Sequence, residues 1–446
     1  MKRMTLVVLM IGIMLVLSGC ITGNHIKSTS SEGQVEAPQK VSYEKSDSIA
    51  ADIYLDGTTS MYGYVNYPGG TIYVDAVKNI ERTITENWKN DSINYIKFGD
   101  SFQKITRDTF LHMDKTAFYD QKDTSLQKIV EQANDSDLTI IITDLFQTNQ
   151  DLDSLVNSLK NKGLNNGKAI AIVGIKSQFN GKIFDIGKSM STLDYASTDD
   201  ATTYRPFYVV VIGNENDTRY FVKSYMKKLP QNAQPTVAFL AHNLGIQTSL
   251  ETDKVTNKKK NSKDNAAKMA SISNIISNKD ILQYRLKVDE KISETPVRLY
   301  AKDVLGKIPE TYSLKIESVE FWNQNNFEKE SATDFLNIDL GEAGLKDTTA
   351  NISFMLQAKP SAIHKKEGIH RANLSLIPDK ESYIKAMDVF SDWNFDDSQI
   401  NENPDAMQKV GNKTLNINRF ISMLAGMNYE LNTPGFHNLY VYFDVK

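Results

Sequence analysis

The segment Ile53-Tyr54-Leu55-Asp56-Gly57-Thr58-Thr59-Ser60 begins as a short apolar strand, reaches an aspartate and continues into a run of hydroxyl residues. A second segment, Leu138-Thr139-Ile140-Ile141-Ile142-Thr143-Asp144, is almost uninterruptedly apolar and also ends in an aspartate. Strands without polar alternation are buried on both faces, which is typical of a parallel sheet covered by helices. These two segments therefore predict an α/β fold.

Amphipathic helical patterns alternate with further buried strands over residues 49–245. Apolar residues recur at helical spacing in the segments 74–88, 124–133, 152–159 and 217–228. Buried strands are expected at residues 93–98, 169–175, 207–212 and 237–240. The alternation predicts a doubly wound, mostly parallel sheet with helices on both faces.

The pattern changes beyond about residue 245. Residues 279–446 contain many strand-like segments, several with period-two alternation, interrupted by helical patterns near 380–390 and 417–424. We expect a second, mainly antiparallel β domain there, built as a β-sandwich. The polar, lysine-rich residues 246–278 are the expected linker between the two domains.

The N-terminus, MKRMTLVVLMIGIMLVLSGC, has the pattern of an export signal. Basic Lys2 and Arg3 precede an apolar stretch that suits a signal peptide and is too short to span a bilayer comfortably. Leu17-Ser18-Gly19-Cys20 resembles the lipobox of bacterial lipoproteins, in which the cysteine is acylated and becomes the new N-terminus. The alternative is an ordinary signal peptide with a chance cysteine.

The lipobox resemblance implies that residues 1–20 are removed and that lipidated Cys20 holds the chain on the extracytoplasmic face of the cell membrane. Residues 21–48 are rich in small and charged residues, which predicts a flexible tether. Cys20 is the only cysteine, so the chain forms no internal disulfide. A net charge of −4 without basic stripes argues against a nucleic-acid partner.

Asp56-Gly57-Thr58-Thr59-Ser60 fits the pattern D-x-[S/T]-x-S, the first element of the metal-ion-dependent adhesion site of von Willebrand factor A domains. Phe98-Gly99-Asp100-Ser101 resembles a turn of that family. Thr124 stands where the family has a hydroxyl ligand before a helix, and Asp144 stands where it has a second carboxylate. The resemblance covers about residues 50–240.

The resemblance implies a Mg²⁺ or Mn²⁺ site whose ligands are Asp56, Thr58, Ser60, Thr124 and Asp144. Hard oxygen ligands suit these cations, and loops that leave the carboxyl ends of strands converge at one edge of a sheet. In the family, an open metal position accepts a carboxylate from a partner, which implies a protein partner here. The alternative is that these residues cap helix or loop N-termini.

The residues after the motif, Met61 to Gly70, form a loop rich in tyrosine and glycine. Tyrosine offers a large amphipathic contact area at low entropic cost. Tyr62, Tyr64 and Tyr67 are therefore predicted to form a partner-contact loop, the alternative being a lid packed on the protein itself. Residues 177–185 and 205–208 also resemble segments of von Willebrand-type bacterial envelope proteins, and that resemblance assigns no functional residue.

The leading interpretation is a membrane-anchored protein that binds a partner through a divalent metal and is not an enzyme. The alternatives are a metal-dependent envelope hydrolase and a metal-free structural component of an envelope assembly. A hydrolase needs a general base near the metal, and the matched loops contain no obvious one. The six histidines are scattered and show no zinc-hydrolase pattern.

The anchor is tested by Cys20→Ala. Without the sulfur there is no thioether bond to lipid, so the chain is expected to leave the membrane fraction or to remain unprocessed. The measurement is membrane fractionation together with metabolic lipid labelling. Unchanged fractionation and undiminished label in the variant would contradict the lipoprotein prediction.

Overall fold

The computed structural model describes residues 44–124, 126–132, 137–145, 152–187 and 190–242. Towards the C-terminus it describes residues 250–251, 270–271, 282–286, 297–300, 305–322, 326–329, 336–346, 349–358, 368–396, 398–399, 407, 409–433 and 436–445. The predicted signal peptide, Cys20, most of the tether and most of the linker lie outside these residues. Within the described part of the chain, no helix is long and apolar enough to cross a membrane.

The first half of the chain forms a seven-stranded sheet with the strand order β3-β2-β1-β4-β8-β5-β9. Its strands are β1 (Ser48–Asp56), β2 (Asn90–Phe98), β3 (Phe102–Ile105), β4 (Leu138–Thr143), β5 (Ala169–Ser177), β8 (Arg205–Gly213) and β9 (Thr236–Leu240). A separate hairpin joins β6 (Asn180–Ile186) to β7 (Ser191–Ala196). The helices are α1 (Ile72–Asn87), α2 (Arg107–Leu111), α3 (Leu126–Gln132), α4 (Leu152–Lys162) and α5 (Glu215–Met226).

The predicted mixed α/β class is confirmed, but three strands, β3, β8 and β9, run antiparallel to their neighbours. Strand β1 pairs in parallel with β2 and β4, and four of the seven strands (β1, β2, β4 and β5) point the same way. Strand β8, however, lies antiparallel between β4 and β5. Among the described residues, the connection from β5 to β8 contains the hairpin and no α-helix, whereas a crossover to a parallel neighbour usually contains an α-helix. The periodicity and polarity of the sequence do not indicate that β8 is antiparallel.

Helices cover both faces of the sheet. Successive residues of a strand point to opposite faces, so each strand contributes apolar side chains to both. Ile53, Leu55 and Ile142 face the cluster that contains α1 and α5. Tyr54 and Ile141 face the cluster that contains α3 and α4. The metal motif therefore sits at the end of strands that are buried on both sides, which holds their carboxyl ends in place.

The C-terminal half contains a six-stranded and a four-stranded sheet whose pairings are antiparallel except for that of β12 with β21. Their strands are β10 (Leu250–Glu251), β11 (Ala270–Ser271), β12 (Leu282–Leu286), β13 (Val297–Tyr300), β14 (Tyr312–Trp322), β15 (Phe327–Lys329), β16 (Leu336–Lys346), β17 (Thr349–Ala358), β18 (Gly368–Pro378) and β21 (Phe436–Val445). The separate antiparallel sheet confirms the mainly antiparallel prediction for this region. The β-sandwich and the domain boundaries remain predictions.

Two C-terminal helices, α6 (Lys380–Met387) and α7 (Ile417–Asn432), pack on the central sheet and share one hydrophobic cluster with α3 and α4. Asn428, fully buried on α7, donates to the carbonyl oxygen of Ala241 at 3.1 Å and to the Tyr383 hydroxyl at 2.6 Å. A short pair, β19 (Asn394–Phe395) with β20 (Thr414–Leu415), precedes α7. The C-terminal region thus contributes helices to the core of the first half.

The last residues of the predicted tether contact the folded body. The backbone N–H and the hydroxyl of Ser46 each donate to the carboxylate of Asp217 at 2.7 Å. Asp217 is only 1% exposed at the start of α5. Because a buried carboxylate needs donors, the ordered chain begins before Ser48.

A chain that begins at Ser48 is expected to be less stable than one that begins at Glu44. The shorter chain leaves the buried Asp217 carboxylate without its two Ser46 donors, at a cost of about 2 kcal/mol. Urea denaturation of the two chains measures the difference. Equal unfolding midpoints would show that Ser46 contributes nothing to stability.

Candidate metal centre

The first loop of the candidate site is fixed by its backbone. Asp56 is the last residue of β1. Gly57 donates its N–H to the Phe98 carbonyl at 2.8 Å, and Thr59 donates to the Gln121 carbonyl at 3.0 Å. A Cβ at position 57 would lie 2.4 Å from the Lys97 side chain, so a larger residue would require that side chain to move. The loop is thereby clamped between β2 and the segment that carries Thr124.

Asp100, in the turn after β2, positions the second loop. Its carboxylate accepts from the backbone N–H of Asp123 at 2.7 Å and from that of Lys122 at 3.3 Å. These bonds hold the chain just before Thr124, which is 2% exposed. The predicted turn thus supports the site without being a ligand.

Asp144, 4% exposed, follows β4 directly. The preceding Thr143 is fully buried and donates its hydroxyl to Asp56 Oδ2 at 2.9 Å. Thr143 Oγ1 also accepts from the N–H of Leu145 at 3.2 Å, and Leu145 has a positive φ of 58°. The bend after Asp144 is therefore tied to Asp56.

The five predicted ligands converge. Thr58 Oγ1 lies 2.7 Å from Asp56 Oδ1, 3.0 Å from Ser60 Oγ and 3.4 Å from Thr124 Oγ1. Ser60 Oγ lies 3.5 Å from Asp144 Oδ1. Neighbouring oxygens in an octahedral Mg²⁺ site are about 3.0 Å apart, because each lies about 2.1 Å from the ion. The spacing of these oxygens therefore fits the predicted cation.

Two buried carboxylates, Asp56 and Asp144, lie close together in the site. Burial and the nearby Asp144 carboxylate together raise the pKa of Asp56 to about 7, against hydrogen bonds from Thr58 and Thr143 that lower it. Two close carboxylates disfavour each other's ionised form, and a bound dication reverses that effect. Protonation of one carboxylate, or binding of a metal ion, removes the repulsion between the two carboxylates.

The donor set is small and oxygen-only. It consists of two carboxylates and three hydroxyls, which suits hard cations and not zinc. Among the residues that the structure describes, no group of three or more His, Cys, Asp or Glu side chains is placed to hold a metal ion. Mg²⁺ or Mn²⁺ at this hydroxyl-rich site remains a prediction.

The tyrosine-rich loop contains one buried and two partly exposed tyrosines, and the prediction that Tyr64 contacts a partner is wrong. Tyr64 is fully buried, donates its hydroxyl to the Pro206 carbonyl at 2.5 Å and stacks 5.2 Å from the Tyr73 ring. A contact residue needs an accessible ring, which Tyr64 lacks. Tyr62 and Tyr67 are partly exposed, and Tyr67 donates to the Asp199 carboxylate at 3.0 Å.

The hairpin of β6 and β7 packs over this loop. Asn66 Nδ2 donates to the Asn180 carbonyl at 3.1 Å, and Asn180 Nδ2 donates to the Asn66 carbonyl at 3.3 Å. A cavity of about 640 Å³ lies beside these two hydrogen bonds, and Thr59, Tyr62, Phe184 and Tyr195 border it. Thr59 lies between the predicted ligands Thr58 and Ser60, so this cavity adjoins the first loop of the candidate site.

Comparison with known proteins gives no match: no family model, no curated protein and no solved structure is significantly similar to the chain. The von Willebrand A resemblance therefore rests on the motif residues and their convergence.

Sequence reasoning missed Thr143, which binds Asp56, and the hairpin that covers the site. Thr143 immediately precedes Asp144 in the sequence, and its hydroxyl at the end of a buried strand was the available signal. The hairpin falls in a segment that was noted only as a weaker resemblance.

The pKa of Asp56 makes metal-free stability depend on pH. Its folded value of about 7 lies above the ordinary 3.8, so the folded state holds this proton more tightly than the unfolded state. The resulting stabilisation is complete below about pH 4, is lost as the pH rises to about 7 and amounts to about 4 kcal/mol. Asp56→Asn should remove this slope.

The measurement is urea denaturation in chelator from pH 4 to 8, analysed as the difference between the unaltered chain and Asp56→Asn. The difference cancels the other titrating groups. Parallel stability curves for the two proteins would contradict the raised pKa.

Proposed function

We propose that this chain is a membrane-anchored, extracytoplasmic protein with a von Willebrand A-like domain that binds a protein partner through a divalent metal. The observation that supports it is the convergence of Asp56, Thr58, Ser60, Thr124 and Asp144 from three loops. Mg²⁺ or Mn²⁺ would be held by these five side chains. Five side chains leave one position of an octahedral ion open, and a partner's carboxylate would occupy it.

Binding is favoured over hydrolysis by the surroundings of the predicted ion. The side chains that contact Asp56 in the described structure are threonine hydroxyls, which are poor bases at neutral pH. Asp56 itself is fully buried and accepts bonds on both oxygens.

The partner would approach beside the hairpin. The cavity of about 640 Å³ has the size of a ligand site and is bordered by the rings of Tyr62, Phe184 and Tyr195. Aromatic rings are enriched at the centres of protein interfaces. The lipid on Cys20 would hold this surface near the membrane, on the extracytoplasmic side.

A metal-free scaffold is the second candidate, and one observation favours it. The oxygens of Asp56, Thr58 and Ser60 already form a continuous chain of hydrogen bonds, 2.7 and 3.0 Å long. With a pKa of about 7, Asp56 can be neutral near physiological pH. A protonated Asp56 would complete this network without any ion.

Metal titration separates the two candidates. Mg²⁺ or Mn²⁺ is expected to raise the Tm, because the ion binds only the folded state. At a metal concentration of a hundred times Kd, the free energy of unfolding should increase by about 3 kcal/mol. Asp56→Ala and Asp144→Ala should abolish the shift. Their metal-free stability should rise or change little, because removing one carboxylate relieves repulsion. A capping role predicts a loss of about 1 kcal/mol with or without metal.

The matched control is Asp52→Ala, which removes a carboxylate from the same strand. Asp52 is 3% exposed and accepts from Asn94 at 2.8 Å, away from the converging loops. This variant is expected to lose stability and to keep the full metal shift. If the unaltered chain shows neither heat nor thermal shift at millimolar Mg²⁺ or Mn²⁺, the adhesion-site proposal fails.

A further inference from the structure

The cavity of about 640 Å³ beside the hairpin of β6 and β7 has a lining of its own. None of the five predicted metal ligands borders it, although Thr59 between two of them does. Its volume lies within the range of about 300–1,000 Å³ that is usual for sites that bind small organic molecules. The cavity is therefore large enough to bind a ligand without the metal ion.

Three partly exposed aromatic side chains border this cavity: Tyr62 on the tyrosine-rich loop, Phe184 on β6 and Tyr195 on β7. Two of the rings are held by their hydroxyls. Tyr62 donates to Asn66 Oδ1 at 3.3 Å, and Tyr195 donates to the Thr203 carbonyl at 2.6 Å. Rings that are fixed in advance offer a large contact area at low entropic cost, and their electron-rich faces attract C–H groups.

The polar side chains at the cavity provide acceptors as well as donors. Because their protons are used within the protein, the hydroxyl oxygens of Tyr62 and Tyr195 can only accept further hydrogen bonds. Asn180 Oδ1 has no hydrogen bond to any residue that the structure describes, while Asn180 Nδ2 donates to the Asn66 carbonyl at 3.3 Å. The Thr59 hydroxyl can donate or accept. A ligand whose groups both donate and accept fits this set.

The charges at the cavity cancel. Among the described residues that border it, Lys182 and Asp194 are the only charged ones. They are paired across β6 and β7, and their side chains form an ion pair at 3.0 Å. A charged ligand would be attracted by one of them and repelled by the other. The ligand is therefore expected to be uncharged.

We propose that this cavity binds an uncharged oligosaccharide. The faces of a pyranose ring carry C–H groups that pack on aromatic rings, and its hydroxyls each donate and accept hydrogen bonds. Such a ligand matches the three rings, the mixed polar groups and the cancelled charge. The inference goes beyond the proposed function, since it gives the cavity a ligand of its own and requires no metal ion.

A proline-rich peptide is the main alternative occupant, because such peptides also dock in grooves lined by aromatic rings. Its carbonyl groups only accept hydrogen bonds, so it depends on donors from the protein. Here the hydroxyl protons of Tyr62 and Tyr195 are already bound to Asn66 and Thr203. A peptide of this kind would leave the acceptor oxygens of the cavity without partners, which a hydroxyl-rich sugar would not.

The test uses the full-length chain with a chelator, in a detergent that has no sugar head group. The probes are cellotetraose, maltotetraose and N-acetylchitotetraose, with a proline-rich decapeptide for comparison. Saturation-transfer NMR detects binding, and titration gives the affinity. At least one sugar is expected to bind, with saturation transferred mainly to its ring C–H protons. Because no metal is present, the result is independent of the proposed metal site.

Two substitutions remove aromatic faces and keep apolar volume: Tyr62→Leu and Phe184→Leu. Each should weaken sugar binding about tenfold, because the stacking contact is lost. Tyr67→Leu is the matched control. Tyr67 lies on the same loop and is also partly exposed, but it does not border the cavity. This variant should keep the full sugar affinity.

Phe184 also borders a smaller cavity, of about 40 Å³, that Asp144 and Arg205 line. The Mn²⁺ affinity of Phe184→Leu is therefore measured separately, and it should stay within about threefold of the unaltered chain. If a leucine variant does not fold, Tyr62→Phe keeps the ring, loses one acceptor and should weaken sugar binding about threefold.

Absence of binding by all of the sugars at millimolar concentration overturns the inference. So does sugar affinity that is unchanged in the folded variants of Tyr62 and Phe184. Binding of the decapeptide in place of the sugars, with the same dependence on Tyr62, also overturns it and assigns the cavity to a peptide. Sugar binding that is weakened by these variants and kept in Tyr67→Leu supports it.

Discussion

The carboxylate of Asp56 is completely buried at the carboxyl end of β1, between the ends of β2 and β4. Such a group is costly unless its oxygens are bonded and its charge is neutralised. Each neighbouring segment meets part of that requirement: Thr58 binds Oδ1 and Thr143 binds Oδ2. The arrangement of three loops around one point follows from this need.

The direction of β8 determines what else reaches that point. Because β8 runs antiparallel to β4, its first residues lie beside the last residues of β4, and Tyr208 pairs with Thr143. A parallel strand in this position would have brought its carboxyl end there. The antiparallel arrangement instead brings Arg205 to the edge that carries Asp56 and Asp144. The connection from the end of β5 to the start of β8 must cross the same edge, which places the hairpin of β6 and β7 over the site.

The sequence was informative where burial alone determined structure. The continuous apolar runs before Asp56 and Asp144 located two strands, and their shared direction brought both aspartates to one edge. Strand direction was not accessible for β8, since a buried strand has the same apolar pattern in either direction. The burial of Tyr64 was equally hidden. It depends on the close approach of Gly181 to Gly63, a contact between segments more than a hundred residues apart.

The covering segments restrict what can reach the predicted ion. One of these segments is the hairpin, and the other contains Thr414, whose hydroxyl accepts a hydrogen bond from the Tyr208 hydroxyl at 2.9 Å. Both segments border the small cavity that contains Asp144 and Arg205. A cavity of about 40 Å³ has room for part of a side chain and not for a folded surface. A partner of the proposed metal site would therefore have to project a side chain past these segments, beside the cavity lined by Tyr62, Phe184 and Tyr195.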